Sequence, residues 1–300
     1  MKNPIVSYKQ SHLFIISLIT GLIALIGGYN FNIYGHEFAE DESASFLALL
    51  DKMQVELNLI NNDLLANNQS LAKDHFNQLN GLYSKHIKDE IAEKNKRIAN
   101  EISMIINDTG TNLNAAEPNT GIENILNNFN DVSLEAITVR ITPDALNNAT
   151  VHALHFGDLI NYIDLAYATA FDTKPVNVSA IDIHHEEEET NMTGTDIHHE
   201  EEETNMTGTD IEHAEEKMNI TNLASYQTAK ELTNIAIDLY NSNLKEHVSI
   251  NATEKADSIE AGLQQLKEII EAKKPYKDAM GIIHGLIQTN LKEIFNLPVQ

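Results

Sequence analysis

The residues best suited to chemistry in this chain are the histidines and glutamates of a short tandem repeat. The sequence DIHHEEEETNMTGT occupies residues 182–195, and residues 196–209 repeat it without a change. A diverged third copy, DIEHAEEKMNIT, follows at residues 210–221. Imidazole nitrogens and carboxylate oxygens are ligands for divalent transition metals. The repeat therefore predicts binding of divalent ions, copper or zinc first, through five histidines: His184, His185, His198, His199 and His213.

The composition of this segment opposes a packed structure. Residues 182–217 contain eleven Glu, three Asp and one Lys, which gives a net charge of −13. A chain this polar cannot bury enough apolar surface to offset its conformational entropy. We therefore expect residues 176–221 to form a long, disordered acidic loop between helices. Because the loop must be ordered around any ion, the affinity should be modest. The alternative interpretation is an acidic linker whose histidines are incidental.

N-glycosylation motifs recur in the same segment at the period of the repeat. Four N-x-S/T motifs are spaced fourteen residues apart and begin at Asn177, Asn191, Asn205 and Asn219. On an exposed loop of an exported protein, these are candidate glycosylation sites. They support the alternative function, a structural or interaction protein of the cell envelope with a glycosylated acidic spacer.

Five further histidines fall on the apolar stripes of predicted helices: His75, His86, His152, His155 and His284. His152 and His155 are three residues apart, so both can point to one ion from a single helix face. In contrast, His75 and His86 would lie about 16 Å apart along a helix and cannot share one ion. The sequence predicts a second metal site that involves His152 and His155. The alternative is that these histidines are buried and simply hydrogen-bonded.

An apolar run near the N-terminus predicts export. The sequence LFIISLITGLIALIGG occupies residues 13–28 and follows Lys2 and Lys9. Extended to Tyr34, the run is long enough as a helix to cross about 30 Å of hydrocarbon. The basic residues favour a cytoplasmic N-terminus. We therefore expect residues 1–35 to be a cleaved signal peptide or a membrane anchor, with the rest at the cell surface or in a periplasm-like space.

Helical periodicity dominates the remaining sequence. Apolar residues from Phe46 to Leu64 recur at spacings of four and three. One long helix is expected from about Ser70 towards Asn107, and the segment VSLEAITVRIT is interpreted as helix because no second strand is available to pair with it. Thr142 and Pro143 are suited to begin a helix that ends near residue 171. Three more helices are expected after residue 222.

These elements predict an all-α protein. We expect an elongated antiparallel helical bundle, preceded by the N-terminal hydrophobic helix and interrupted by the acidic loop. Its first half would span residues 40–173, and its second half would span residues 222–300.

Charge and motif content exclude several classes of function. The net charge of −25 disfavours nucleic acid and anionic membrane surfaces as partners. Without Cys, the chain has neither disulfides nor thiolate metal ligands. Gly-rich phosphate loops, G-x-S-x-G and H-E-x-x-H do not occur. We therefore predict a non-enzymatic protein with metal ions and cell-envelope proteins as partners.

The run HEFAEDESASFLALLDKMQVELNLI at residues 36–60 resembles exported helical-bundle proteins of ammonia-oxidising archaea. The resemblance is carried mainly by DESASFLAL, from Asp41 to Leu49, after an N-terminal hydrophobic segment. It implies export and a helical fold. The copper-dependent physiology of such organisms makes copper the ion that the resemblance implies.

Overall fold

The structure, a computed structural model, describes residues 38–115, 121–173 and 219–297. Every regular element in these ranges is a helix, so the predicted all-α class is confirmed. The predicted N-terminal hydrophobic helix and the acidic loop up to residue 218 lie outside the described ranges and stay predictions. None of the helices in the described ranges has both the length and the apolar composition needed to cross a membrane.

Residues 38–115 and 121–173, the described part of the chain before the acidic repeats, form six helices. They are α1 (Glu40–Leu65), α2 (Gln69–Leu82), α3 (Lys85–Leu113), α4 (Ile122–Arg140), the single turn α5 (Pro143–Leu146) and α6 (Ala149–Ala170).

The part after the repeats is also helical, but α-helical geometry is interrupted twice by π-helical turns. The elements are α7 (Leu223–Leu239), a first π turn (Tyr240–Leu244), 3₁₀ turns (Lys245–His247 and Ile250–Ala252), α8 (Thr253–Glu271), α9 (Tyr276–Ile282), a second π turn (Ile283–Gln288) and α10 (Thr289–Phe295).

Helix α1 is the central element of the packing, because its apolar residues contribute to two separate cores. The predicted stripe from Phe46 to Leu64 is buried against α2, α3 and α4 in what we call the first core. The opposite face, with Ala48, Val55 and Leu59, joins the second core, formed with α6 to α10. A helix with two apolar faces must be covered on both sides, so α1 lies between the two cores.

Helix α6 packs mainly with the C-terminal helices, although it precedes the acidic repeats in sequence. Phe156, Leu159 and Ile163 are fully buried in the second core, and α6 and α7 form the most extensive helix pair. The two cores therefore group the helices differently from the predicted halves at residues 40–173 and 222–300.

The long helix expected from Ser70 to Asn107 is instead two helices. The first begins at Gln69, and the Asn68 side chain accepts a hydrogen bond from the Leu71 backbone N–H. The chain then leaves helical geometry at Tyr83, and Ser84 caps the start of α3. The break rotates the following residues, so the predicted inner position His86 is exposed.

A candidate ligand-binding cavity

A cavity of about 220 Å³ lies where the two cores meet. Its walls come from α1, α4, α5, α6, α7 and the turns that follow α7. The apolar lining combines Leu134 with side chains from both cores: Leu47, Leu50, Phe129, Ile137, Leu146, Ile235 and Leu239. An apolar cavity of ~150 Å³ can hold a benzene molecule. This cavity is therefore large enough for one substituted ring.

Four of the polar residues that line the cavity are exposed and mark its mouth. Asn147, Asp238, Glu246 and His247 line the cavity and are exposed to solvent, so the cavity opens beside them. Asp51 is a third lining carboxylate and is half-buried. None of the lining residues in the described ranges is Lys or Arg. The opening is therefore acidic.

Three polar atoms on the cavity wall are buried and lack a hydrogen-bond partner. They are Asn130 Oδ1, Ser133 Oγ and His152 Nδ1. A buried polar atom without a partner costs about 1–3 kcal/mol, so such atoms need a water molecule or a ligand. They belong to α4 and α6, two of the helices that line the cavity.

The predicted pair His152 and His155 both line this cavity, together with a histidine that the sequence analysis did not select. His247 lies with its ring stacked on that of His152, with 6.4 Å between the centroids and 15° between the planes. The ring of His155 is already engaged, since its Nε2 lies 2.8 Å from Asp51 Oδ2. His247 could not be found from periodicity, because it follows the first π turn and occupies no apolar stripe.

The pKa of His152 is lowered to about 4, chiefly by burial. The neighbouring imidazoles of His155 and His247 contribute to this lowering, whereas the Leu146 backbone and the Glu246 carboxylate act in the opposite direction. Although the Leu146 backbone favours the charged form, Nδ1 of His152 makes no hydrogen bond of normal geometry. His152 is therefore neutral at pH 7, and Nδ1 is free to accept or donate a hydrogen bond according to its tautomer.

The first π turn brings the C-terminal wall of the cavity into place. Tyr240 and Leu244 of this turn are fully buried, and the Tyr240 hydroxyl donates to the Ala256 carbonyl at 2.7 Å. These contacts fix the turn against α8, so that Asn243 and the following Glu246 and His247 reach the cavity. Single π turns in helical segments are frequent at functional sites.

The described ranges contain no group of three or more His, Asp or Glu arranged to hold a metal ion. The histidines of the repeat, from His184 to His213, lie outside these ranges, and their predicted role stays a prediction. The same holds for three of the predicted glycosylation sites, Asn177, Asn191 and Asn205. The fourth, Asn219, is described and exposed.

Two other histidines pair with buried carboxylates away from the cavity. His75 and Glu56 are fully buried, with 2.7 Å between Nδ1 and Oε2. His284 Nε2 lies 3.4 Å from Oδ2 of the buried Asp164. Both pairs join helices distant in sequence and serve the packing. The alternative prediction was that histidines on the apolar stripes are buried and hydrogen-bonded. His75 fits this prediction.

Comparison with known protein families, curated proteins and solved structures gave no match.

Proposed function

We propose that this protein is a non-enzymatic binding protein that holds a small, partly apolar organic molecule in the cavity between its two cores. The observation that carries the proposal is the clustering of Asn130 Oδ1, Ser133 Oγ and His152 Nδ1, all buried and unpartnered, on the wall of a 220 Å³ apolar cavity. An apolar interior with a few convergent polar groups is the usual form of a small-molecule site. The N-terminal apolar run supports placing this binding protein at the cell surface or in a periplasm-like space, with its helices arranged as a bundle.

The cavity suits binding better than catalysis. Asp51 is engaged by His155, and the remaining carboxylates, Asp238 and Glu246, are exposed at the opening. A general acid or base must lie within hydrogen-bond reach of the proton it transfers. An apolar interior with its charged groups at the mouth favours capture of a molecule over its conversion.

Filling the cavity is the direct test of this proposal. Ser133 is buried against the cavity, so Ser133→Leu should occupy the space and remove an unpartnered hydroxyl. We expect the free energy of unfolding to increase by about 0.5–2 kcal/mol, as for other cavity-filling changes. In calorimetry with one-ring compounds, the full-length protein should bind and the variant should not.

Asn128→Leu is the matched control, because Asn128 is exposed on the same helix. This change adds the same apolar side chain outside the cavity and should leave binding intact. Equal binding by the wild-type protein and Ser133→Leu would contradict the proposal, as would no binding by either.

Divalent metal binding is the second candidate function, and the convergence of His152, His155 and His247 on one cavity favours it. Neutral imidazole nitrogens are good ligands for Cu²⁺ and Zn²⁺. Side chains would have to move to place three ligands around one ion, because no such group exists in the described ranges. The His/Glu repeats remain the other proposed ligands.

Titration of the full-length protein with Cu²⁺ and Zn²⁺ separates the two proposed metal sites. Loss of binding on deletion of residues 182–217 would assign the ions to the repeats. Loss in the His152→Ala, His155→Ala double variant would assign them to the cavity. Binding through imidazole should weaken below about pH 6, since protons compete for the ligands. If neither ion binds at pH 7, the metal hypothesis is wrong.

A further inference from the structure

We propose that the ligand of this cavity is a small organic cation, an aliphatic or benzylic amine whose apolar body enters the cavity and whose ammonium group remains at its mouth. This inference rests on the proposed function, since it names the class of molecule that the same cavity selects.

The charge at the cavity mouth is the first argument. Asp238 and Glu246 are exposed there, Asp51 lies further in, and no Lys or Arg lines any part of this described cavity. A mouth of one sign concentrates ligands of the opposite sign. An organic anion would meet three carboxylates without a cationic partner, whereas an ammonium would meet three acceptors.

The buried polar atoms supply a second, independent argument. Ser133 is 7 % exposed, and its unpartnered Oγ lines the cavity. Asn130 Oδ1 is also unpartnered, and an amide oxygen can only accept hydrogen bonds. A ligand with hydrogen-bond donors therefore suits this part of the lining. A carboxylate ligand carries none.

The apolar interior of the cavity determines the chemistry of the rest of the ligand. Phe129 is 1 % exposed and lies in the lining with Leu50, Ile137 and Ile235, so ring and aliphatic carbon make up most of the buried lining. A cation is costly to bury in such surroundings unless it is paired. The ligand must therefore be amphipathic, with its charge and its apolar part at opposite ends.

Three probes of nearly equal size test the charge preference directly. Benzylamine, benzyl alcohol and benzoate share the same ring but are cationic, neutral and anionic at pH 7. In calorimetry with the full-length protein, we expect benzylamine to bind at least about fivefold more tightly than benzyl alcohol, because carboxylates at the mouth attract its charge. Benzoate should bind more weakly than the alcohol. Benzylamine affinity should fall as salt is added, because salt screens charges at the mouth.

Variants at the mouth separate a specific site from general attraction to an acidic protein. Asp238→Asn with Glu246→Gln should weaken benzylamine binding about fivefold or more and leave benzyl alcohol unchanged. The control pair is Glu254→Gln with Asp278→Asn, which removes the same charge from exposed positions outside the cavity lining. The control should leave both affinities nearly unchanged.

The outcomes distinguish this inference from the function on which it rests. If benzyl alcohol or benzoate binds as tightly as benzylamine, or if both variant pairs weaken benzylamine equally, the cation preference is wrong and the binding cavity stands. If none of the three probes binds the wild-type protein, the proposed function fails as well.

Discussion

At the scale of single residues, the buried pair of His75 and Glu56 is the contact on which the packing of α1, α2 and α7 depends. Glu56 Oε1 also accepts from the Thr228 hydroxyl at 3.0 Å, and His75 Nε2 lies 2.8 Å from Gln227 Oε1. Burial by itself would lower the pKa of His75, but the hydrogen bond and charge of Glu56, with help from Gln227 and Asp63, outweigh it and raise the pKa. The charged form of His75 is therefore favoured relative to an exposed histidine.

Removing the His75 charge should be strongly destabilising. His75→Gln leaves Glu56 as a buried carboxylate without its ion-pair partner, which typically costs about 3–5 kcal/mol. Chemical denaturation of the full-length protein would measure this loss. His86→Gln, an exposed histidine on the next helix, is the control and should change stability by less than about 0.5 kcal/mol. A loss below about 1 kcal/mol in His75→Gln would contradict the assigned role.

The pH dependence follows from the direction of this shift. Because the folded-state pKa of His75 is raised above 6.5, its contribution to stability is fully present below pH 6.5 and is lost as pH rises through the raised value. The stability difference between the wild-type protein and His75→Gln should therefore shrink at alkaline pH. A difference that grew with pH would show that His75 is neutral in the fold.

His152 should behave in the opposite way, because its pKa is lowered to about 4. Between pH 6.5 and about 4 the unfolded chain binds a proton that the folded protein does not. The contribution of neutral His152 to stability is therefore lost as pH falls through this window. NMR titration of the metal-free protein should show the His152 ring titrating near pH 4, and a midpoint near 6.5 would contradict its burial beside His155 and His247.

At the scale of elements, the sequence predicted helices well where one face is regularly apolar. The stripe of α1 from Phe46 to Leu64 is buried as expected, since spacings of four and three keep its side chains on one face. The break between α2 and α3 was missed, because Leu79, Leu82 and His86 continue the spacing although the chain leaves helical geometry at Tyr83 and Ser84 caps the next helix. In the sequence, one serine that can cap a helix is a weaker signal than a regular apolar spacing.

The π turns were also not predictable from the stripe. From Ala279 onward, the buried positions of the last helical segment are four residues apart: Ala279, Ile283, Ile287 and Leu291. A π turn accommodates more residues per turn than an α-helix does. The choice between the two geometries depends on packing against other helices, which periodicity alone does not encode.

The first π turn offers a prediction at this scale. Inserting one alanine after Ser242, which is exposed within the turn, should rotate the following residues by roughly 100°, because the widened turn already holds one extra residue. Asn243, Glu246 and His247 would then leave the cavity wall. We expect amine binding to weaken severalfold while helix content by circular dichroism stays the same. Unchanged binding would mean that this wall does not contribute to the site.

At the scale of the whole molecule, the cavity results from the way two cores share α1. Its lining comes from positions as distant as Leu47 and His247, and α4 and α7 face it from different cores. The sequence located His152 and His155 because they lie on one helix face. Ser133 and His247 could not be joined to them without the tertiary arrangement. The all-α class could be predicted from local patterns. The site could not, because it is assembled from five helices and the turns that follow α7.

The acidic repeats carry a large share of the net negative charge of the chain. They hold −13 of the net −25 in the printed sequence, so cations are attracted to the molecule as a whole. Their predicted role as weak metal ligands, and the alternative of a glycosylated spacer, are separate from the cavity. Deletion of residues 182–217 should therefore leave benzylamine affinity within about twofold at physiological salt, where charges beyond ~8 Å are largely screened.

Methyl-resolved NMR of the full-length protein tests the central claim most directly, because it reports where a small molecule binds. On addition of benzylamine or benzyl alcohol, the account predicts saturable shifts in the methyl groups of Leu47, Ile137, Ile235 and Leu239, which line the cavity. Ile270, buried in the second core away from the cavity lining, should not shift. Shifts spread evenly over both cores, or none at the cavity with either probe, would contradict the account.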